Sequence, residues 1–462
     1  MSTSTTTSRL SGFREESKHQ NREKGAADRL DPTTRGPLLI LANPLNELTF
    51  GDRCPTDVGA LDLAAFQEFW LIERGDVFVT PRPMPRSFIE AVCKVTGVSE
   101  ATFDIVDAGA RPEETVVEAL QRSGAVRQLR QLVARRPGIQ IRACGVDRTV
   151  VKLAAELGAP IEGYSEPIAN SLLDLIYQIN TKDGFRRIAE TLGLPTASGF
   201  TCASSREAEK VARRLQRHHG AALVKCSRGA GGGGQFSLDR TADATQQLKA
   251  FLKQNAALGH CFVVETLLKP KSEPTIDVEI TAEGPRHLYI GTMEVAHGAF
   301  QGMAVPASLS GRALKDLRDA ADSIGRYLFE RGYRGFFDLD AAELEGDRLV
   351  VFEANVRRTS TSLWDAVLNR LFAGANSPRV MWTLASTTVD TVAPEKLIDV
   401  LAELASASTS PSDRKDISLL TWTICREEIR IRYLLGGESR EDLEIRQAHL
   451  RTALDSSTRI YQ

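Results

Sequence analysis

The sequence predicts an α/β protein in which an open, mainly parallel sheet is followed by α+β lobes built on antiparallel strands. Between residues 37 and 143, short apolar runs alternate with segments of helical spacing, the pattern of a parallel sheet with helical crossovers. Further along, a glycine-rich stretch at 226–234 joins two strand-like runs. Two more apolar runs, 336–339 and 349–352, flank the polar turn 345–348 and predict a β-hairpin.

Composition places the chain among ordinary globular proteins. At 462 residues, with 42% hydrophobic and 26% charged residues, it has room for two or three domains. A net charge of −2 gives no electrostatic case for nucleic acid or an anionic membrane, and no apolar run is long enough to span a bilayer. We therefore expect no nucleic-acid or membrane partner. The 7 cysteines are scattered without a CxxC pair, which argues against disulfides or zinc and favours a reducing, cytoplasmic location.

The predicted elements follow in chain order. Residues 1–35 are polar and should be disordered. The first lobe has strands at 37–42, 76–80, 103–107 and 139–143, with helices at 61–74, 88–95 and 120–135. The remainder has helices at 150–157, 171–179, 182–192, 204–219, 310–331, 363–372 and 441–454, strands at 221–225, 235–238, 261–268, 274–280, 287–293, 417–424 and 429–435, and a Ser-rich loop at 406–414.

The glycine-rich stretch predicts a phosphate-binding flap. Glycines let backbone N–H groups converge on an anion without interference from Cβ atoms. Gly229, Gly231 and Gly234 formally match G-x-G-x-x-G, but a dinucleotide site needs a helix next, and residues 235–238 read as a return strand. No G-K-[ST] is present, so a P-loop is excluded as well. A flap with Lys225 at the end of its first strand is the prediction, and a plain glycine linker is the alternative.

The predicted hairpin carries candidate metal ligands. Asp340 and Glu353 end its two strands, so antiparallel pairing brings them side by side, and Asn355 faces the same way two residues later. Clustered carboxylates need a cation, and hard oxygen ligands suit Mg²⁺ or Mn²⁺ carrying a nucleotide's phosphates. Arg357 adds a guanidinium for a phosphate. If the acids hold a cation, Glu353→Gln should not destabilise the protein without ligand. A solvated hairpin end without function is the alternative.

In their order along residues 154–362, these motifs resemble the ATP-grasp superfamily. The resemblance implies that Lys182, Lys225 and the glycine flap hold nucleotide phosphates, that the segment after Glu265 holds adenine, and that Glu273 binds ribose. It also implies a metal set followed by an arginine in an E-x-N-x-R motif. The residues implied for nucleotide binding are Lys182, Lys225, Ser227, Gly231, Gly232, Gly233, Gly234, Glu265, Leu268 and Glu273; those for metal are Asp340, Glu353 and Asn355; the catalytic candidate is Arg357.

Finer features resemble the subgroup that carries a pre-ATP-grasp domain, which includes pheganomycin-type peptide ligases. The features are the Asn43-Pro-Leu-Asn46 turn, the Gly302–Ala307 segment and the Gly332–Gly335 turn before the hairpin. Two departures are Asp338, where some members carry a cation, and the turn Thr359–Ser362, where a glycine-rich turn is more usual. The implied domains are a polar tail (1–35), an open α/β pre-ATP-grasp domain (36–165), an ATP-grasp domain (166–385) and a C-terminal segment packing on it (386–462).

The function that the resemblance implies is ATP-dependent ligation. With Mg²⁺ or Mn²⁺, ATP would activate a carboxylate as an acyl phosphate, and an amine would then form the amide. Amino acids or short peptides in natural-product biosynthesis are the expected substrates. An ATP-grasp kinase or carboxylase, or a nucleotide-binding protein without turnover, are the alternatives. The sequence leaves open whether the protein forms a homodimer.

Overall fold

Three sheets carry the fold in the described part of the chain. The computed structural model describes residues 35–50, 57–229, 234–239, 241, 243–256, 261–296, 299–372, 381–390, 394–407, 417–425 and 428–459. Three predicted segments therefore lie wholly or mostly outside the described residues. They are the tail predicted to be disordered (1–34 of 1–35), residues 230–233 of the glycine stretch and most of the predicted Ser-rich loop. No helix in these described ranges is long and apolar enough to cross a membrane.

The first sheet is parallel, as the alternation of strands and helices predicts. Its strands are β1 (Leu38–Leu41), β2 (Val77–Thr80), β3 (Asp104–Asp107) and β4 (Gln140–Ala143), in the order β3-β2-β1-β4. The helices between and after them are α1 (Val58–Phe66), α2 (Arg86–Thr96), α3 (Val116–Ser123), α4 (Val126–Ala134) and α5 (Arg148–Leu157). Strands β1 and β2 are buried apolar runs, which suits their place in the middle of the sheet, because a parallel sheet is covered on both faces.

One prediction in this region is wrong. The single helix expected at 120–135 is two helices, because Gly124 takes the left-handed conformation (φ 74°) and ends α3. Thr115 opens α3 with a capping box to Glu118. The chain therefore breaks where the apolar spacing alone suggested continuity.

The second sheet is antiparallel and holds the glycine stretch. Two helices precede it, α6 (Asn170–Ile179) and α7 (Lys182–Thr191). Its strands are β5 (Gly199–Cys202), β6 (Ala222–Cys226), β7 (Gln235–Leu238) and β8 (Phe262–Thr266), in the order β5-β8-β6-β7, with α8 (Ser205–His219) and α9 (Ala244–Ala256) between them. Because β6 and β7 pair antiparallel, with Lys225 opposite Gln235, the prediction of a return strand after the glycines is confirmed.

The third sheet is antiparallel and has eight strands in the described residues. Its order is β13-β12-β9-β10-β11-β14-β16-β15, and its elements are β9 (Pro274–Ile280), β10 (Pro285–Ala296), β11 (Ala299–Val305), α10 (Gly311–Glu330), β12 (Gly335–Leu344), β13 (Arg348–Asn355), α11 (Ser362–Phe372), β14 (Met381–Asp390), α12 (Pro394–Ala407), β15 (Ile417–Cys425), β16 (Glu428–Gly437) and α13 (Arg440–Arg459). Strands β5, β11 and β14 and helix α12 were not predicted from the sequence.

The hairpin of the third sheet is longer than predicted. Strands β12 and β13 run through Asp340 and Glu353 instead of ending there, and the register places these two residues opposite each other. The predicted pairing of the two acids is therefore confirmed.

A continuous apolar core fixes this hairpin against the first sheet. Leu39 of β1, Leu317 and Ile324 of α10, and Phe337 of β12 belong to one cluster of buried side chains. Helix α10 contributes its apolar stripe, as its spacing predicts. The strands that carry the candidate ligands are therefore held by packing on one face, which leaves their other face for chemistry.

Candidate active site

Six polar side chains form two rows across three neighbouring strands of the third sheet. In one row Asp340 of β12 pairs with Thr275 of β9 and with Glu353 of β13; in the next row Asp338 pairs with Asp277 and with Asn355. The rows are two residues apart on every strand, so the six side chains share one face. We call this set the polar grid: Thr275, Asp277, Asp338, Asp340, Glu353 and Asn355.

The polar grid lacks positive charge. Asp277 is 0% exposed and Asp338 is 6% exposed. Burial, followed by the negative charge of Asp338, raises the pKa of Asp277 to about 8. Burial raises the pKa of Asp338 to about 6 and, together with the neighbouring acids, raises the pKa of Asp340 well above its usual range. Oδ1 of Asp277 has no hydrogen-bond partner among the described residues. Oxygen ligands that resist ionisation together suit a divalent cation.

The metal ligands predicted from the sequence lie in this grid. Within the described ranges, no three His, Cys, Asp or Glu side chains converge as a metal site on their own; the predicted set consists of two carboxylates, Asp340 and Glu353, and the amide of Asn355. The donor set is oxygen-rich and partly exposed, so the residues present fit Mg²⁺ or Mn²⁺.

Asp338 orients the amide of Asn355. Nδ2 of Asn355 donates to Oδ1 of Asp338 at 2.8 Å and to Oδ2 of Asp340 at 3.4 Å, while Oδ1 of Asn355 accepts from Nη2 of Arg357 at 2.6 Å. An ionised carboxylate only accepts hydrogen bonds, so it fixes which end of the amide faces it. In the sequence, Asp338 is notable only as a departure from the usual pattern; the structure places its carboxylate in hydrogen-bond contact with Asn355.

Lys182 forms an ion pair with a carboxylate of the grid. It is the first residue of α7, which Thr181 caps. Its Nζ lies 3.0 Å from Oε1 of Glu353 and donates to the carbonyl of Gly229 at 3.3 Å. Although burial opposes ionisation, Lys182, Lys225 and Arg357 hold the pKa of Glu353 below its usual value. The structure thus revises the expectation for Glu353→Gln, because Glu353 is paired, unlike Asp340.

Lys225 faces the same cleft from the other sheet. Its Nζ is 2.7 Å from Oε2 of Glu265 and lies 5.3 Å from the centre of the Phe352 ring. Arg186 of α7 pairs with the other oxygen of Glu265 at 3.0 Å. Sequence reasoning missed Arg186, although it lies in the same Lys-Asp-Gly-Phe-Arg stretch as Lys182.

These side chains enclose a cleft. The cleft lies between α7, the second sheet and β13; the space between its walls, open solvent included, is about 220 Å³, and it is too narrow for a water molecule in this structure. Its walls include Lys182, Arg186, Lys225, Glu265 and Phe352. The structure therefore brings together the two predicted lysines, Glu265 and the hairpin, which lie far apart in the sequence.

The other predicted nucleotide residues that the structure describes do not line this cleft. Ser227 follows β6; its hydroxyl donates to Asp183, and its carbonyl accepts from the N–H of Lys182 at 2.8 Å. Gly234 takes a positive φ of 77° at the start of the return strand. Glu273 directly precedes β9 and the grid, and burial raises its pKa. Leu268 lies just beyond β8 and is not among the residues that line the cleft, and Gly231, Gly232 and Gly233 lie outside the described residues.

Comparison with known proteins agrees with this architecture. Residues 65–159 match the family model for the Pre ATP-grasp domain. No curated protein matches the sequence. The fold is similar to N5-carboxyaminoimidazole ribonucleotide synthetase from Thermus thermophilus, with 15% identity and a TM-score of 0.53 over 90% of this chain and 98% of that one.

Two further solved structures are similar. One is the biotin carboxylase from Campylobacter jejuni in a β-γ-ATP complex, with 13% identity and a TM-score of 0.56 over 91% of this chain and 90% of that one. The other is carboxyaminoimidazole ribonucleotide synthase from Aspergillus clavatus complexed with ATP, with 14% identity and a TM-score of 0.51 over 91% and 98%. At such identities the likeness concerns the fold, which is a mixed α/β, ATP-grasp fold preceded by a pre-ATP-grasp domain.

Proposed function

We propose that this protein is an ATP-dependent ligase that activates a carboxylate as an acyl phosphate and couples it to an amine. The observation that carries the proposal is the oxygen-rich polar grid, in which Glu353 contacts Lys182 at 3.0 Å, next to a cleft that both Lys182 and Lys225 line. A fold alone hosts many functions, so the proposal depends on this arrangement of charges.

The grid would hold the metal ions through Asp340, Glu353 and Asn355. Bound Mg²⁺ or Mn²⁺ would supply neutralising charge to the phosphates of ATP. Lys182, which pairs with Glu353 in this structure, would also bind a phosphate oxygen. Lys225, which pairs with Glu265, would bind another phosphate oxygen. Backbone N–H groups of the flap at Gly231–Gly234 would bind phosphate oxygens from above.

In this proposal, Glu273 would bind the ribose, and the segment from Glu265 to Leu268 would bind adenine. Arg357 would hold the carboxylate substrate, because its guanidinium already lies against Asn355 of the metal set. Asp338 would keep Asn355 in the orientation that offers its oxygen. Each of these groups acts by binding and orienting, which is the larger part of catalysis in phosphoryl transfer.

The proposed reaction has two steps. A carboxylate oxygen attacks the γ-phosphorus, the bond to the leaving oxygen of ADP breaks, and an acyl phosphate forms. The neutral amine then attacks the acyl carbon, the carbon–oxygen bond to phosphate breaks, and the amine proton passes to solvent. Closure of the cleft by the flap would exclude water, which otherwise hydrolyses the acyl phosphate.

A matrix of carboxylates and amines tests the proposal. Phosphate release from Mg-ATP is measured with each carboxylate alone, each amine alone and each pair, starting with amino acids and short dipeptides. The proposal expects release that needs both partners, with an amide product by mass spectrometry and trapping of the acyl phosphate by hydroxylamine. The matched control is Glu353→Gln, in which release should fall to background.

Other outcomes of the same matrix would replace the proposal. Release driven by a single substrate that becomes phosphorylated would indicate a kinase. Release that needs bicarbonate would indicate a carboxylase, an arm that is included because one similar structure is a biotin carboxylase. ATP binding without release under any pair would indicate a nucleotide-binding protein. A role in peptide or natural-product biosynthesis rests on the resemblance to pheganomycin-type ligases and would need amino acids or peptides among the accepted pairs.

A further inference from the structure

A second cavity lies beside the polar grid, and none of the predicted nucleotide-binding residues lines it. The space between its walls, open solvent included, is about 450 Å³, of which about 40 Å³ is wide enough for a water molecule. The walls include β4, the segment at Ile161–Tyr164 and the segment Val356–Arg358 after β13. Arg357 lines this cavity and also bonds Asn355 of the grid. A molecule in the cavity would therefore contact the same arginine that we propose to hold the activated carboxylate.

The cavity wall has an excess of positive charge. Four arginines line it, Arg142, Arg334, Arg357 and Arg358, against the single carboxylate of Glu162. Glu162 pairs with Arg142. Arg358 pairs with Glu68 at 2.7 Å, where both side chains are buried, at 6% and 3% exposure. After these two pairs, Arg334 has no acidic partner among the described residues that line the cavity, whereas the charge of Arg357 also acts on Asp338, Asp340 and Glu353 of the grid.

Two guanidinium groups in this wall each have one N–H donor without an acceptor among the described residues. Nε of Arg357 and Nε of Arg358 are buried, and neither has a hydrogen-bond partner among the described residues. A buried charged donor left without an acceptor is costly, so native proteins rarely keep one without a ligand. The two residues are adjacent in the chain and line the same cavity.

Arg358 is held in place independently of any ligand. Its backbone N–H donates to the carbonyl of Cys144 at 2.8 Å, Glu68 fixes its Nη2, and its guanidinium lies 5.6 Å from the centre of the Phe336 ring. These contacts engage one edge and the face of the group, and Nε has no hydrogen-bond partner among the described residues. The rest of the wall includes apolar side chains such as Ile161 and Val356, which suit the hydrocarbon part of a substrate.

We infer that this cavity binds a second anionic group of the carboxylate substrate, with Arg358 as the residue that determines this specificity. The substrate class is a carboxylate that carries another oxyanion, either a second carboxylate or a phosphate ester, on an apolar linker. This inference rests on the proposed function for the identity of the activated carboxylate. The contact itself is an oxyanion that accepts from Nε of Arg357 and Nε of Arg358.

Calorimetric titration tests the inference without turnover. The full chain with Mg²⁺ and a non-hydrolysable ATP analogue is titrated with succinate, glutarate and adipate, with the mono-amide of each, and with phosphonopropionate. At least one doubly anionic probe should bind about tenfold or more tightly than its mono-amide, the effect of one charge-assisted hydrogen bond. A preference for phosphonopropionate would identify a phosphate ester, and a preference for a dicarboxylate would identify a carboxylate.

Variants test whether the preference for a doubly anionic probe arises in this cavity. Arg358→Lys keeps the charge beside Glu68 but removes Nε, so it should lose the preference for the second anion. Glu68→Gln keeps the shape and removes a nearby negative charge, so it should tighten binding of the doubly anionic probe severalfold. The matched control is Arg136→Lys; Arg136 is also ion-paired, with Asp104, and lies outside the cavity wall. It should leave every probe unchanged.

The inference fails if no doubly anionic probe is preferred over its mono-amide, or if the preference survives in Arg358→Lys while Glu68→Gln has no effect. If Arg358→Lys does not fold, the Glu68→Gln result decides alone. Phosphate release that needs a carboxylate and an amine would still support the proposed function in either case, so the two failures are distinguishable.

Discussion

Asp340 and Glu353 lie opposite each other in the polar grid, yet neutralising them should have different effects on the protein without ligand. Glu353 pairs with Lys182 at 3.0 Å, and the Lys182 side chain is only 5% exposed. Glu353→Gln therefore leaves a buried ammonium without its counter-charge. Asp340 forms no ion pair with any described residue, and burial with the neighbouring acids raises its pKa despite the charge of Arg357. Asp340→Asn removes a disfavoured charge.

The size of the first effect follows from the exposure of the pair. Removing one partner of a fully buried ion pair costs about 3–5 kcal/mol. The Glu353 side chain is 23% exposed, and glutamine can still accept a hydrogen bond from Lys182. We therefore expect a loss of about 2 kcal/mol for Glu353→Gln. For Asp340→Asn we expect no loss, and a gain in stability without ligand.

The two variants should, by contrast, respond alike to Mg-ATP. If both carboxylates hold the metal of Mg-ATP, each variant loses most of the stabilisation that the nucleotide gives. At a concentration of 100 times Kd a ligand stabilises by about 2.7 kcal/mol, and a hundredfold weaker affinity leaves about 0.4 kcal/mol. The two variants should therefore share a small ligand-induced shift while differing without ligand. Turnover should fall by at least about a hundredfold in both.

Thermal melts with and without Mg-ATP measure this prediction, with urea unfolding monitored by tryptophan fluorescence for the free energies. Asp442→Asn is a suitable control, because Asp442 pairs with Arg446 in α13, outside the grid. Ligand-induced shifts equal to that of the native protein in both grid variants would refute the metal assignment. A loss of stability in Asp340→Asn as large as in Glu353→Gln would refute the charge argument.

Three further predictions extend the argument. Lys225→Met should keep the fold, because Glu265 retains its pair with Arg186 at 3.0 Å, but should weaken Mg-ATP binding about tenfold or more in calorimetry; unchanged affinity would remove Lys225 from the nucleotide site. Gly232→Val should reduce turnover more than thermal stability if the flap approaches phosphate, and equal turnover in a folded variant would contradict this. Deletion of residues 1–30 should leave melting temperature and phosphate release unchanged, since the segment offers few apolar side chains to bury; loss of activity at unchanged stability would show that it acts on the site.

Local patterns in the sequence determined much of the candidate site. The alternation of β12 and β13 and the turn between them bring Asp340 opposite Glu353, because the side-chain period of a strand is two and a hairpin pairs neighbours. The strand after the glycines excludes a dinucleotide loop by the same local logic. Fold class follows from the order of strands and helices, which the chain displays directly.

The tertiary structure alone decided which other groups join these residues. Strand β9 pairs with β12 across a long stretch of intervening chain, and this pairing adds Thr275 and Asp277 to the grid. The same is true of the ion pair of Lys182 with Glu353, which changes the expected effect of neutralising Glu353. The cavity beside Arg358 needs β4 from the first sheet. Periodicity reports which face a residue takes within its own element, whereas contacts between distant elements depend on how their buried faces pack.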